Sequence, residues 1–425
     1  MLPTTFRARK IETIDTQWHA VFDDYWPAYK AWYGQKKRDD INPSALKQGH
    51  RQLVAIMPEM RPLYESFLEA SNDCPVAAQF LTGYQPPAYL VSCSQAVLLN
   101  EEPLLIRNYD LSPDLSENLL TQSNWLGKEI IGTNECLWGL NDGMNKSGLV
   151  ASLTFGGSNK VGKGFGIPFI MRYVLQTCEN VKQAIKALQR VPSHMAYNVT
   201  LVDKQGDLAT VMLAPGQPSI VTRERCITNH QARVTWPQQA VFSKTLERKQ
   251  FLDESLASGK MNEQQLRNAF LAAPLLSGNY PQQFGTVYTA VYKPLSGTMS
   301  YHWPGEKAWQ HSFADFRASA KTVSLGKQAN LGKQANLGKQ ANLGKQANLG
   351  MVHADLIENA DSDHSLPASI RQQLLQSLVY LPVSVVGQPD ALDKLKQHLQ
   401  ADNSFCWKGY AEQIAQVWHY PVPTN

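Results

Sequence analysis

A thiol, a guanidinium and a carboxylate lie close together in the chain: Cys93, Arg107 and Asp110, with Asn108 between the last two. A thiol becomes a strong nucleophile when a base or a nearby cation favours its thiolate, so this is a combination able to do acyl chemistry. The runs Ser94–Leu99 and Leu104–Asp110 read as strands around the turn Asn100-Glu101-Glu102-Pro103. A hairpin centred on Glu101 and Glu102 sets Cys93 opposite Asp110, with Arg107 and Asn108 close by. Burying such charges beside a thiol is costly without a purpose. A cysteine at the end of a strand is, equally, among the commonest buried residue types. Position alone leaves the two readings balanced.

Other motifs compete and fail. Gly157-Ser158-Asn159-Lys160-Val161-Gly162-Lys163-Gly164 nearly spells the phosphate loop GxxxxGK[ST], but Gly164 stands where the magnesium-binding hydroxyl belongs. A glycine-rich loop that shapes a pocket or crosses a sheet edge fits better. A Cys/His peptidase would need its cysteine at a helix amino terminus, paired with a histidine such as His194 or His230. Cys93 opens a strand instead. The six cysteines (74, 93, 136, 178, 226 and 406) form no Cys-x-x-Cys and no zinc-ligand spacing.

The elements that must position these residues show in the hydrophobic pattern. Residues 1–83 read as mostly helical, with Trp18, Phe22, Tyr25, Tyr29 and Trp32 on one face as a core stripe that Pro27 kinks or splits. A second helical region runs from about Pro43 to Ala70, and Gly83 to Pro87 forces an extended connector. Strands are expected at 148–155, 196–203, 207–213 and 219–229, with a last hairpin at 286–292 and 299–303. Helices are expected at 168–176, 181–189, 239–256 and 262–272. Strand runs separated by helix pairs argue for stacked sheets with helices outside.

Composition narrows the function. The chain has 425 residues, with 43% hydrophobic and 18% charged, an ordinary globular balance. Its net charge of +4 is matched by four lysines of one repeat, Lys327, Lys333, Lys339 and Lys345, so no nucleic-acid footprint shows. The run Lys36-Lys37-Arg38-Asp39-Asp40 reads as a solvated turn. No apolar stretch is long enough for a membrane span, and Met1 to Glu12 lacks a secretory apolar region. These features lead to the expectation of a cytoplasmic protein. Residues 326–350 repeat GKQANL, read as a flexible or weakly helical linker with a partner-binding array as the alternative. Residues 351–425 read as a small helical extension.

Six ordered segments carry a resemblance. Pro86-Pro87-Ala88-Tyr89-Leu90-Val91-Ser92-Cys93, followed by Arg107-Asn108-Tyr109-Asp110, resembles the start of the mature chain in N-terminal-nucleophile (Ntn) hydrolases. It is similar to the acyl-coenzyme A:6-aminopenicillanic acid acyltransferase, or isopenicillin-N acyltransferase-like, family, which is related to the choloylglycine hydrolases. Gly143-Met144-Asn145-Lys146-Ser147-Gly148-Leu149 looks like the family's GMNxxGL segment. Met195 to Asp203 resembles its YNxTLxD strand, and Ile227-Thr228-Asn229-His230 its TNH motif. Ser243–Arg248 and Gly285–Tyr288 fit later segments.

The resemblance implies an α+β fold, a four-layer αββα sandwich. It also implies a helical pro-segment at 1–92, a catalytic domain at 93–325, the repeat linker and the helical extension. It implies cleavage between Ser92 and Cys93, after which the freed α-amine serves as base for its own thiol, with no cofactor. Arg107 would steady the thiolate, Asp110 would fix the amine, and the Asn229 amide or nearby backbone would donate to the oxyanion. Further candidates for oxyanion or substrate binding are Thr154, Asn145, Asn108 and Arg248. Thr154 departs from the asparagine of choloylglycine hydrolases, and Ser92 from the glycine that relatives usually carry before the nucleophile. The expected partners are a small acyl amide or acyl thioester and the chain's own cleaved fragment, with neither nucleic acid nor membrane. A catalytically inactive Ntn-fold scaffold and a Cys/His peptidase remain as alternatives. Intact-mass measurement is expected to show a fragment of about a fifth of the chain, absent from Cys93→Ala.

Overall fold

The structure, a computed structural model, describes residues 2–36, 41–71, 74–88, 91–278, 280 and 284–326. Most of the charged run at 36–40, the repeat and the carboxy-terminal extension lie outside the described residues.

The chain opens with a strand, β1 (Leu2–Ile11), and continues through four helices: α1 (Thr16–Lys36), α2 (Pro43–Ile56), α3 (Arg61–Ala70) and α4 (Pro75–Leu81). The Pro86-Pro87 connector leads to the hairpin β2 (Ser92–Leu99) and β3 (Pro103–Leu111), then to β4 (Leu119–Trp125), β5 (Lys128–Glu135), β6 (Gly139–Asn145) and β7 (Leu149–Phe155). Helices α5 (Ile167–Thr177) and α6 (Val181–Arg190) precede β8 (Tyr197–Asp203), β9 (Leu208–Leu213), β10 (Ile220–Thr222) and β11 (Cys226–Ile227). Three more helices follow, α7 (Pro237–Phe242), α8 (Thr245–Ala257) and α9 (Glu263–Phe270). The strands β12 (Gly285–Lys293), β13 (Thr298–His302), β14 (Trp309–Ser312) and β15 (Ser319–Leu325) close the described fold.

Two sheets result. One has nine strands in the order β10-β9-β8-β7-β6-β5-β4-β1-β15, the other six in the order β11-β2-β3-β12-β13-β14. Side chains alternate across β2 and β3, as the pleat requires. Ala96, Leu98, Leu104 and Ile106 face outward and are sealed by Leu252, Leu256, Leu266 and Phe270 of α8 and α9. Cys93, Gln95, Arg107 and Tyr109 face inward. The Gln95 amide crosses to the other sheet and donates to Thr200 Oγ1 at 2.7 Å. On the far side of the nine-stranded sheet α5 packs over β6 and β7, and α6 over β8 and β9. The layers are therefore helix, sheet, sheet, helix, and the fold class is α+β as expected.

Three local differences from the sequence pattern have physical causes. Pro27 is carried inside α1 without splitting it, because the backbone hydrogen bond it lacks falls on an exposed face. The stretch expected as one helix at 239–256 is two, since Lys244 adopts a left-handed φ of 51° between α7 and α8. The stretch 119–145, left without strands by the sequence pattern, supplies β4, β5 and β6.

The larger difference is β1. It pairs parallel with β4 and antiparallel with β15, from Leu2 opposite Leu325 to Ala8 opposite Ser319. Its inward residues, including fully buried Phe6 and Ala8, are interleaved with Arg7, Arg9 and Lys10, so the alternation is short and easily missed. The Phe6 ring packs against Trp303 with centroids 4.8 Å apart and meets Tyr288 and Tyr301. Residues 1–92 are thus built into the catalytic fold, and not only helical. Were the chain cut after Ser92, the amino-terminal fragment is expected to stay bound. Size-exclusion chromatography in native buffer should elute both pieces together, and only denaturant should separate them.

Candidate active site

The β2–β3 hairpin turns through three residues, Asn100 to Glu102, with Leu99 opposite Pro103. This puts Cys93 opposite Tyr109 and Ser92 opposite Asp110, one residue away from the expected pairing. A one-residue slip exchanges the two faces of a strand. Cys93 and Arg107 therefore share the inward face, while Ser92 and Asp110 share the outward one.

On the inward face Arg107 Nη2 donates to Cys93 Sγ at 2.8 Å. Arg107 is fully buried and its charge is met by Asp142, whose Oδ2 accepts Nη1 at 2.7 Å. Asp142 is itself saturated by donors: Tyr288 at 2.7 Å on Oδ2, with Thr133 at 2.6 Å and Tyr292 at 2.5 Å on Oδ1. Burial pushes the Cys93 thiol up to about 11, against the pull of Arg107. At that value the thiol is neutral near pH 7.

On the outward face Arg248 is the hub. Its Nη1 donates to Cys93 O at 2.7 Å and Ser94 Oγ at 2.6 Å, its Nη2 to Asn229 Oδ1 at 2.6 Å and Ser92 Oγ at 3.0 Å. The left-handed turn at Lys244 makes this reach possible, because it frees Ser243 O to hold Arg248 Nε at 2.7 Å in the first turn of α8. Asp110 stands 3.7 Å from Arg248 and accepts from Thr286 Oγ1 at 2.7 Å. Burial raises its carboxyl to about 6, moderated by Arg248.

Asn229 Oδ1 also accepts from the Cys93 amide at 3.0 Å and from the Ser92 hydroxyl at 2.6 Å. Its amide nitrogen turns away to Phe155 O at 3.3 Å. Asn229 thus offers Cys93 an acceptor, while its side-chain amide, expected as one of two possible donors with the nearby backbone, points away from the Ser92–Cys93 peptide. The loop that carries Asn229 is held by Gly157, at φ +72°, where a Cβ would come within 2.4 Å of Asn229 O. The near-phosphate loop is thus a backbone support for Asn229.

Cys93, Arg107, Asp110, Asn229, Arg248 and Ser92 come together. The other candidates do not reach the thiol's partners. Asn145 caps the end of α5, donating to Leu175 O and Cys178 O, and Asn108 clamps the end of α9 through Phe270 O and Leu275 O. Thr154 donates to Thr228 O at 3.1 Å and so acts on the Asn229 loop from behind. His230 Nδ1 meets Thr245 Oγ1, and His194 Nδ1 meets Gly162 O. Ser92 lies in β2 with no left-handed φ, and its hydroxyl donates to Asn229 Oδ1 and accepts from Arg248 Nη2. Sequence reasoning missed Asp142. Its signal was a carboxylate directly before the Gly143-Met144-Asn145 motif.

Residues 98–308 match the family described as acyl-coenzyme A:6-aminopenicillanic acid acyl-transferase. Over those residues, just under half of the chain, the sequence is similar to that family. The acyl-transferase family segment begins just after Cys93 and includes Arg107, Asp110, Asp142, Asn229 and Arg248. The chain is accordingly an enzyme of the acyl-transferring kind. A comparison with curated proteins gave no match. Among solved structures, a mutant of the conjugated bile acid hydrolase from Clostridium perfringens is 12% identical with a TM-score of 0.42, covering 56% of this chain and 99% of that one. Penicillin V acylase from Agrobacterium tumefaciens is 14% identical with a TM-score of 0.38, covering 56% and 93%. The N-acylethanolamine-hydrolyzing acid amidase ortholog of Caenorhabditis elegans is 14% identical with a TM-score of 0.36, covering 55% and 100%.

Removing Asp142 would leave Arg107 buried without its counter-charge. Asp142→Ala is expected to cost about 3–5 kcal/mol of folding stability, read as a shift in the urea midpoint.

Proposed function

We propose that the chain cuts itself between Ser92 and Cys93 and then works as a cysteine Ntn amidohydrolase or acyltransferase on small N-acyl amides or acyl thioesters. The observation that carries this reading is the double hold on Cys93: its Sγ on Arg107 Nη2 and its backbone nitrogen on Asn229 Oδ1. A structural cysteine has no need for both.

The thiol attacks the carbonyl carbon of Ser92. A C–S bond forms, the C–N bond to Cys93 breaks, and the thiol proton ends on the departing nitrogen. Water then opens the thioester, giving a Ser92 carboxylate and a free Cys93 thiol. The new α-amine has an ordinary pKa of about 7.7–8.0, well below that of the buried thiol, and becomes the base for later turnovers. Asn229 Oδ1 remains placed to accept its N–H. Arg248, bonded to Cys93 O and to that same Asn229 oxygen, puts a positive charge nearby that favours the unprotonated amine.

In turnover the thiol attacks the substrate's acyl carbon and the amine proton goes to the leaving group. Water or an acceptor amine resolves the acyl-enzyme. A small apolar cavity of about 20 Å³ lies among Trp32, Phe80, Pro87, Phe169 and Tyr197, room for little more than one water, so an acyl group would need these walls to move apart. Tyr197 lies within electrostatic reach of Cys93.

The reading is tested with a panel of N-acyl amides graded in acyl length. Sequencing of the larger fragment should start at Cys93, and Cys93→Ala should neither cut nor turn over any substrate. Asn229→Ala is expected to lower kcat/KM about ten- to a hundredfold, the worth of a hydrogen bond to a charged group. Activity that survives in the Cys93→Ala chain overturns the proposal.

A further inference from the structure

Behind the nucleophile two carboxylates share one hydroxyl. Tyr29 Oη of α1 lies 2.7 Å from Glu117 Oε1 and 2.7 Å from Glu135 Oε1. Both glutamates are buried, and among the described residues no lysine or arginine pairs with either. The Tyr29 oxygen also accepts the Cys136 amide at 2.9 Å. A phenol has a single proton to donate and two lone pairs to accept with. It can satisfy one carboxylate as donor, and the other must then bring a proton of its own.

The surrounding donors decide which carboxylate that is. Glu117 accepts the Leu137 amide at 2.9 Å and Asn134 Nδ2 at 2.8 Å, a set that suits an anion. Glu135 has the poorer set, Asn141 Nδ2 at 3.0 Å and the Tyr109 hydroxyl at 3.3 Å, both on Oε2. The remaining titratable neighbours are Tyr25, whose hydroxyl donates to Glu117 O, and the Cys136 thiol. The chain of donors therefore runs from Glu135 to Tyr29 to Glu117. Burial, with the Glu117 charge next, raises the Glu135 carboxyl to about 8, in agreement with that direction.

Glu135 also reaches toward Cys93. Tyr109, held by its second oxygen, is the residue paired with Cys93, and the Arg107 guanidinium stands 4.9 Å from the Tyr109 ring centre. We propose that Glu135 is a positioning residue that works as a neutral carboxylic acid, donating its proton to Tyr29 of the amino-terminal segment while its other oxygen holds Tyr109 beside Arg107 and Cys93. The seating of residues 1–92 then sets the nucleophile's surroundings across the proposed cut. The link to Cys93 rests on the self-cleavage reading; the place of the proton does not.

The proton is tested in the Cys93→Ala chain, which cannot cut. Infrared difference spectra against the same chain with Glu135→Gln should show the C=O stretch of a protonated carboxylic acid near neutral pH, vanishing as pH rises through about 8. Because the folded state holds this proton more tightly than the unfolded one, its stabilising effect is complete below about 4.5 and lost by about 8. Denaturant midpoints of the two chains should diverge over that window. Absence of the band overturns the proposal.

The positioning role is read from the rate of self-cleavage against pH, followed by intact mass. The uncut chain has no α-amine at Cys93 to confuse the titration. Cleavage should weaken through about 8 in the natural chain. It should lose that limb in Glu135→Gln, and slow at least tenfold in Glu135→Ala with rescue by the glutamine. Equal pH profiles in the natural chain and Glu135→Gln overturn the role, whatever their stabilities. A natural chain that never cuts sinks the self-cleavage reading and, with it, the link to Cys93, while the infrared band alone decides the proton.

Discussion

Arg107 has no exposure to solvent, and a guanidinium in that position is tenable only with a counter-charge and acceptors for its terminal nitrogens, Nε alone being left without a partner among the described residues. Asp142 supplies the charge, Asn141 O a further acceptor and Cys93 Sγ the third contact. Much of the inter-sheet core follows from this need. Thr133, Tyr288 and Tyr292 are there to saturate Asp142, and Tyr109 and Tyr288 lay their rings beside the guanidinium. The thiol is placed by a polar cluster inside an apolar sandwich, so its position is coupled to the packing of both sheets.

The opposite face of the same hairpin answers a different requirement. The backbone around Cys93 is gripped from the side away from its buried thiol, and Arg248 does this from the helical layer through Cys93 O, Ser92, Ser94 and Asn229. One strand thus presents its side chain to one layer and its peptide groups to another. The arrangement separates the thiol from the groups that hold its backbone.

The amino-terminal segment belongs to this construction. β1 completes the nine-stranded sheet between β4 and β15, and α1 inserts Tyr29 between two buried carboxylates. A segment with a strand in a sheet and a hydroxyl in a buried network has many backbone and side-chain partners to lose at once, which is why the fold holds it as an internal component.

Much was legible in the amino-acid order, because the governing effects are local. Hydrophobic period marked the β2–β3 hairpin, the strands 148–155 and 196–203 and the helices around 168–189; spacing set Arg107 and Asp110 near Cys93, and the resemblance of Ile227–His230 to a TNH motif pointed to Asn229. Short motifs were enough to name the family. What local pattern could not supply was register and long-range partnership. A three-residue turn in place of four moved Asp110 to the face away from the thiol, since strand alternation makes every such choice all or none. Asp142, Glu135 and Tyr29 owe their roles to neighbours far along the chain, and Asn145 and Asn108 proved to be caps for the same reason. Which charge meets which is settled by burial, and burial is a property of the assembled layers.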